Sequence, residues 1–203
     1  MHSISAKEFL YWKKKQLSKG GDNQSLAVLL DCIGGISTNE LNLFSINPEG
    51  TLYLKKNLEF LESIWEDHLC NSSPIQYLCG TTYWRNLKLK VTDKVLIPRP
   101  ETELIIDIVF KIFGPQSQEK LIFADLGTGS GAISIALALA YPSWDGIATD
   151  IDQDALDIAT KNYISCSKQT NLKFYCGHWW NPFESFKGKL DLAISNPPYI
   201  PKD

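Results

Sequence analysis

No apolar run in this sequence reaches the ~18 residues needed to cross a bilayer. The opening MHSISAKEFLYWKKKQ also lacks an uninterrupted apolar segment followed by a small-residue cleavage site. The expectation is a cytoplasmic protein without membrane attachment. Cysteine is sparse and unpaired: Cys32, Cys70, Cys79, Cys166 and Cys176 make an odd set of five with no CxxC pair. That fits neither a disulfide framework nor a zinc knuckle. Cys176 and His178 stand two apart without companion ligands at zinc-type spacing, so they read as a strand end and a loop residue, and no metal is expected. An excess of basic charge is absent too, since 20 Lys and Arg are set against 23 Asp and Glu for a net charge of −3 and a pI near 5.6. A chain of this balance has no general attraction for a polyanion. The one basic cluster, Lys13 to Lys15, reads as the solvated face of an amphipathic helix, and direct nucleic-acid binding is not expected.

What is present suffices for a folded chain: 203 residues, 44% of them hydrophobic, can bury one core plus a small accessory domain. From Ile4 to about Asn71 the apolar residues recur with helical period, in the stripes Leu26, Leu29, Leu30, Ile33 and Leu54, Leu58, Leu61, Trp65. Gly20-Gly21 and Gly34-Gly35 punctuate this region, and Ser37 with Glu40 three residues on has the form of a capping box. Asn71-Ser72-Ser73-Pro74 ends it, because a polar cluster closed by proline cannot continue a helix. The expected division is a helical domain over 1–73, a linker over 74–98 and a third region over 99–203. In the linker, Leu87, Leu89 and Val91 alternate with Lys88 and Lys90, which predicts a strand from Tyr83 to Val91, with Val95-Leu96-Ile97 as the second arm of a hairpin. After Pro98-Arg99-Pro100 the spacing of Leu104, Ile105, Ile108, Val109 and Ile112 predicts a helix up to Gly114-Pro115.

From Leu121 onward short apolar strands alternate with helical segments: strands 121–124, 146–149, 172–175 and 190–195, and helices 132–141 and 154–166. This is the pattern of an α/β fold with a doubly wound parallel sheet. Ligands of such sheets bind beyond the carboxyl ends of the strands, so the loops after Ala124, Thr149, Tyr175 and Ser195 are where chemistry is sought.

Each of these loops holds something distinctive. The first, Asp125-Leu126-Gly127-Thr128-Gly129-Ser130-Gly131, lies between strand and helix, where missing Cβ atoms let backbone N–H groups and a helix N-terminus approach a ligand. By itself it suits a dinucleotide as well as other adenosine cofactors. In the second, Asp150 is placed to accept both hydroxyls of a ribose. The third, Gly177-His178-Trp179-Trp180-Asn181-Pro182, offers tryptophans of which one is expected to pack on an adenine ring. The fourth, Asn196-Pro197-Pro198-Tyr199, resembles the motif of methyltransferases acting on planar amino or amide nitrogens.

Such a nitrogen is a poor nucleophile, because its lone pair is delocalised. The Asn196 oxygen can accept one N–H and a carbonyl of the rigid Pro197-Pro198 pair the other, turning the nitrogen toward a methyl donor, while Tyr199 stacks on the planar group. These acceptors favour the positive charge that develops on nitrogen.

Four motifs in order discriminate within that class: Pro74-Ile75-Gln76-Tyr77-Leu78-Cys79-Gly80, Leu96-Ile97-Pro98-Arg99-Pro100-Glu101-Thr102-Glu103, the loop from Asp125 to Ile133, and Asn196 to Ile200. Together they resemble the release-factor glutamine methyltransferase (HemK-like) family over essentially the whole chain, with Arg-Pro-Glu-Thr after Ile-Pro as the more specific mark. The resemblance implies a Rossmann-like class I methyltransferase fold with a helical N-terminal substrate-recognition domain. It implies S-adenosyl-L-methionine as cofactor, held by Gly127, Thr128, Gly129, Ser130, Gly131, Asp150, Trp179 and Asn196. The implied catalytic set is Asn196, Pro197, Pro198 and Tyr199, and the methyl acceptor is N5 of the glutamine in the Gly-Gly-Gln motif of peptide chain release factors, with the enzyme taken as a monomer acting in translation termination.

A nucleic-acid amino methyltransferase is the nearest rival reading, with a non-catalytic cofactor-binding remnant and an NAD-dependent oxidoreductase behind it. His178 stands where several members of the family carry an acidic residue. Members of the family also continue past the point reached at Asp203, so a C-terminally truncated sheet with strand 190–195 as an uncovered edge is expected.

Overall fold

The computed structural model describes residues 1–46, 48–115 and 117–197. The chain divides into two compact units, residues 1–81 and 82–203. Among the described residues no helix is long and apolar enough to cross a membrane.

The N-terminal unit runs β1 (His2–Ser5), α1 (Ala6–Lys19), α2 (Asn23–Leu29) with a widened turn over Leu30–Gly34, α3 (Thr38–Ile46), β2 (Thr51–Leu54), α4 (Leu58–Asn71) and α5 (Ile75–Cys79). The start of α3 is capped as the sequence suggests. Ser37 and Glu40 form the capping box, with Glu40 accepting the Ser37 N–H at 2.9 Å and the Ser37 hydroxyl accepting the Glu40 N–H at 3.3 Å. Helix α4 stops at Asn71 because Ser72 turns left-handed (φ 51°) ahead of Pro74. The unit is not wholly helical as expected. Strands β1 and β2 pair antiparallel with Ile4 opposite Leu52 and His2 opposite Leu54, so Leu54 reaches the core from a strand and not from the helical stripe assigned to it. Four-residue strands carry too little periodicity to separate from helix ends. Phe9, Leu26, Leu29, Leu30, Leu61 and Trp65 are fully buried in the core of this unit, and Ile75, Leu78 and Cys79 of α5 pack with them.

The second unit opens with the hairpin, whose arms differ from the expected ones. Strand β3 (Thr81–Trp84) turns at Arg85-Asn86 into β4 (Leu87–Lys90), and Arg85 is left-handed at φ 50°. Residues 95–97 are not a strand. The reason lies in side-chain direction: one continuous strand would put Trp84 on the face opposite Leu87 and Leu89. The turn brings all three to the same core, where they are 2%, 4% and 0% exposed. The segments 74–81 and 82–98 of the expected linker thus pack with different units.

After a short 3₁₀ turn (Pro100–Thr102) come α6 (Glu103–Phe113), β5 (Ile122–Leu126), α7 (Ala132–Ala140), β6 (Asp145–Asp150), α8 (Gln153–Cys166), β7 (Leu172–Cys176), a 3₁₀ segment (Asn181–Phe186) and β8 (Leu192–Ser195). Strands β5 to β8 form one parallel sheet in the order β7-β6-β5-β8. The order reverses at β5, since the chain moves outward through β6 and β7 and then crosses back to place β8 on the other side. That is the topological switch point at which parallel sheets open a crevice. Apolar residues fill the layer behind it, with Tyr141 stacked on Trp144 at 4.0 Å between ring centroids and Phe113 edge-on to Trp144 at 5.0 Å.

Candidate functional site

The crevice at the switch point has a volume of about 380 Å³, within the range of small-molecule sites. All four strand-end loops reach it: Gly127 and Gly129 after β5, Asp150 and Ile151 at the end of β6, Gly177 and Trp179 after β7, and Asn196 and Pro197 after β8. Pro198 and Tyr199 lie outside the described residues.

The glycine loop divides its work. Gly127, Gly129 and Gly131 all have left-handed backbones (φ 71°, 54° and 81°), which glycine adopts without strain. Gly127 and Gly129 face open space, so a ligand can approach the main chain there. Gly131 faces α8 instead: a Cβ on it would lie 3.1 Å from the Ala159 Cβ and 3.0 Å from the Ile135 Cδ1. Thr128 and Ser130 are buried, 8% and 3% exposed, and only the backbones of their neighbours border the crevice. The Thr128 hydroxyl donates to the Asp125 carboxylate at 2.7 Å and touches the Ser134 hydroxyl at 2.8 Å. Asp125 is 1% exposed, and burial pushes its pKa up to about 6 against the downward pull of the Thr128 and Ser134 hydroxyls, with the Asp150 charge adding to the rise. It stands beneath the loop as a brace and does not line the crevice.

Asp150 ties three loops together. One carboxylate oxygen accepts the Gly129 N–H at 2.9 Å, the other accepts the Asp152 N–H at 3.1 Å, and the Asp150 carbonyl accepts the Gly177 N–H at 2.9 Å. Each carboxylate oxygen carries two acceptor sites, so each keeps one beyond these contacts, on a residue that borders the crevice. The fourth loop joins through Ser195, whose hydroxyl donates to the Leu126 carbonyl at 2.9 Å.

The two tryptophans separate. Trp179 lines the crevice, half exposed, with a left-handed backbone (φ 46°) that is uncommon for a bulky residue. Trp180 turns away and packs edge-on to Phe183 at 5.4 Å. His178 also borders the crevice, its ring edge-on to Trp179.

Asn196 borders the crevice with its carboxamide nitrogen 3.2 Å from the Thr102 hydroxyl.

Further contributors were not assigned to the site from the sequence. Val95 and Leu96, expected as a hairpin arm, form an apolar wall of the crevice, with Lys94 beside them. Ile151, 69% exposed, adds an apolar surface next to Asp150. Asn162 on α8, fully buried, donates to the carbonyls of Ser130 at 2.8 Å and Lys90 at 3.0 Å and accepts the Lys90 N–H at 2.7 Å, so it holds the glycine loop and β4 at once. The only signal for Ile151 is an isoleucine directly after a strand-terminal aspartate, and Asn162 gives none beyond a polar residue on the apolar face of a helix. Among the described residues no group of three or more His, Cys, Asp or Glu could hold a metal ion.

The crevice fits an adenosine-bearing cofactor by its own chemistry: two glycines without Cβ atoms, a preset carboxylate, an exposed indole and an aliphatic wall. Residues 106–202 match the family described as "Methyltransferase small domain". The chain is 43% identical over 199 residues to the release factor glutamine methyltransferase of Prochlorococcus marinus, covering 98% of this chain and 68% of that protein. It is 37% identical to the protein of the same name from a Synechocystis species, covering 98% and 68% of the two chains. The Streptococcus pneumoniae protein of that name is 33% identical, with 98% and 67% covered.

Proposed function

The chain belongs to the family of release factor glutamine methyltransferases, and from that premise we propose that it methylates N5 of the glutamine in the Gly-Gly-Gln motif of peptide chain release factors, in the cytoplasm. The methyl donor is S-adenosyl-L-methionine. The observation that carries the reading is the position of Asn196: it closes β8 on the same crevice that Gly127, Gly129 and Asp150 border, so an amide-gripping group and a cofactor cleft share one space.

Gly127 and Gly129 admit the cofactor's amino-acid portion against the main chain, Asp150 accepts the ribose hydroxyls, and Ile151 and Trp179 enclose the adenine. When bound, the cofactor supplies a sulfonium methyl whose S–C bond breaks as the N–C bond forms, the electron pair leaving with sulfur and the surplus amide proton passing to solvent. Asn196 accepts one N–H of the glutamine through its carboxamide oxygen, and the carbonyl of Pro197 accepts the other. Two acceptors on one NH2 group align it for in-line attack and stabilise the positive charge that grows on nitrogen. No general base is needed, because the nitrogen sheds its proton only after the new bond is made.

The test uses labelled methyl donor and a release factor, beside the same factor with Gln→Ala in its Gly-Gly-Gln loop. Label is expected on the first and not on the second, and label on both sinks the acceptor assignment. Asn196→Ala is expected to lower turnover on the order of 100-fold or more with cofactor affinity kept within a few fold. Equal loss of both would mean that Asn196 serves the cofactor and not the amide.

A further inference from the structure

We infer that Thr102 is a positioning residue for Asn196, its hydroxyl holding the carboxamide with the NH2 edge turned away from the substrate and the oxygen edge toward it. The inference rests on the amide-methylation reading above and deepens it.

A carboxamide has one edge that donates and one that accepts, and the two are nearly the same size. If the donating edge faced a glutamine NH2 group, four hydrogens would be brought together and no bond could form. The role given to Asn196 therefore requires that something fix which edge faces the crevice. The Asn196 nitrogen lies 3.2 Å from the Thr102 oxygen. Thr102 itself does not border the crevice, whereas Asn196 does. The contact is thus made from behind and leaves the oxygen on the opposite edge.

The Thr102 hydroxyl is itself on a stiff support. It ends the Pro100–Thr102 turn, in which Pro100 fixes its own φ. The Thr102 N–H donates to the Arg99 carbonyl at 3.1 Å. That same carbonyl accepts the indole N–H of Trp84 at 2.9 Å, and Trp84 is 2% exposed in the core of the unit. A chain of short contacts therefore runs from buried core to hydroxyl to carboxamide. On the other side, the Ser195 hydroxyl clamps the end of β8 to the Leu126 carbonyl. The backbone of Asn196 is held by one strand and its side chain by a turn 94 positions earlier. This gives the Arg-Pro-Glu-Thr segment a chemical task that a helix start alone does not require.

Two variants and two readouts test it on the full chain. Thr102→Val keeps the shape and removes the hydroxyl, while Thr102→Ser keeps the hydroxyl. The side-chain NH2 resonances of Asn196, identified in a ¹⁵N-labelled sample by their disappearance in Asn196→Ala, report the contact directly. They are expected to shift and to exchange faster with solvent in Thr102→Val and to stay near their original positions in Thr102→Ser. In methyl transfer, Thr102→Val is expected to lower kcat on the order of 10- to 100-fold with cofactor Kd unchanged, and Thr102→Ser to recover most of it.

An unmoved Asn196 resonance in Thr102→Val overturns the inference, and so does wild-type kcat in that variant, or a serine variant as impaired as the valine. Failure of the underlying reading looks different. If the wild-type chain labels no glutamine amide, the acceptor assignment falls, and the resonances still decide whether Thr102 orients the carboxamide.

Discussion

The Thr128 hydroxyl donates to the Asp125 carboxylate at 2.7 Å beneath the glycine loop, in a spot where the carboxylate is 1% exposed. Burial pushes the Asp125 pKa from its ordinary 3.8 up to about 6. The folded state therefore binds this proton more tightly than the unfolded chain does. The stability linked to Asp125 is fully present below about pH 4 and is lost as pH rises through 6. Carboxylates held low by their partners, such as Asp22 and Glu40 beneath the Ser25 and Ser37 donors, act with the opposite sign and at more acid pH. Comparing the wild-type chain with Asp125→Asn between pH 4 and 6.5 isolates the effect. Urea midpoints of the wild type are expected to fall relative to the variant across that window, and parallel midpoints would show that Asp125 titrates normally.

The glycines at 129 and 131 are expected to fail in different ways when each is replaced by alanine. At Gly131 the added methyl meets Ala159 and Ile135 at 3.0–3.1 Å on a left-handed backbone, so the fold should lose about 1–3 kcal/mol. At Gly129 nothing stands within 4 Å, and the methyl projects into the crevice. There the fold should lose only about 1 kcal/mol, while cofactor affinity falls on the order of tenfold. Thermal unfolding and calorimetric titration of both variants check the pair, and identical profiles would mean that the loop acts as one unit.

The parallel sheet was legible because its signals are local and repeated. Short apolar runs bounded by turn residues mark strands, helical spacing marks the crossovers, and each strand is found within two residues of its expected bounds. The crevice-facing residues Gly127, Gly129, Asp150, Trp179 and Asn196 follow from a rule of topology, since strand ends of a parallel sheet converge. The short strands β1 and β2 were hidden because their partner lies some fifty residues away and four residues show no usable period. The hairpin turn at Arg85-Asn86 was hidden for another reason: the alternation of leucines after it is genuine, and only the core position of Trp84 shows that the strand cannot be continuous. Asn162 and Thr102 act through contacts 32 and 94 positions distant, which no spacing within one element encodes.

Trp179 and Trp180 give the sharpest separation between neighbours. Only Trp179 borders the crevice, and its left-handed backbone (φ 46°) directs it there, while Trp180 packs against Phe183. An aromatic contact of this kind contributes about 0.5–1.5 kcal/mol beyond its buried area, which corresponds to roughly a 2- to 10-fold change in a dissociation constant. Trp179→Ala is therefore expected to weaken S-adenosyl-L-methionine binding by that factor and to leave the unfolding midpoint close to wild type, because the indole is half exposed. Trp180→Ala is expected to leave cofactor affinity unchanged and to lower the midpoint only slightly, through the lost contact with the buried Phe183, since this indole too is half exposed. Titration of the cofactor into each variant, followed by unfolding of the same samples, measures both quantities. If Trp180→Ala weakens the cofactor and Trp179→Ala does not, the indole that covers the adenine is the other one, and the assignment of Trp179 to the site is withdrawn.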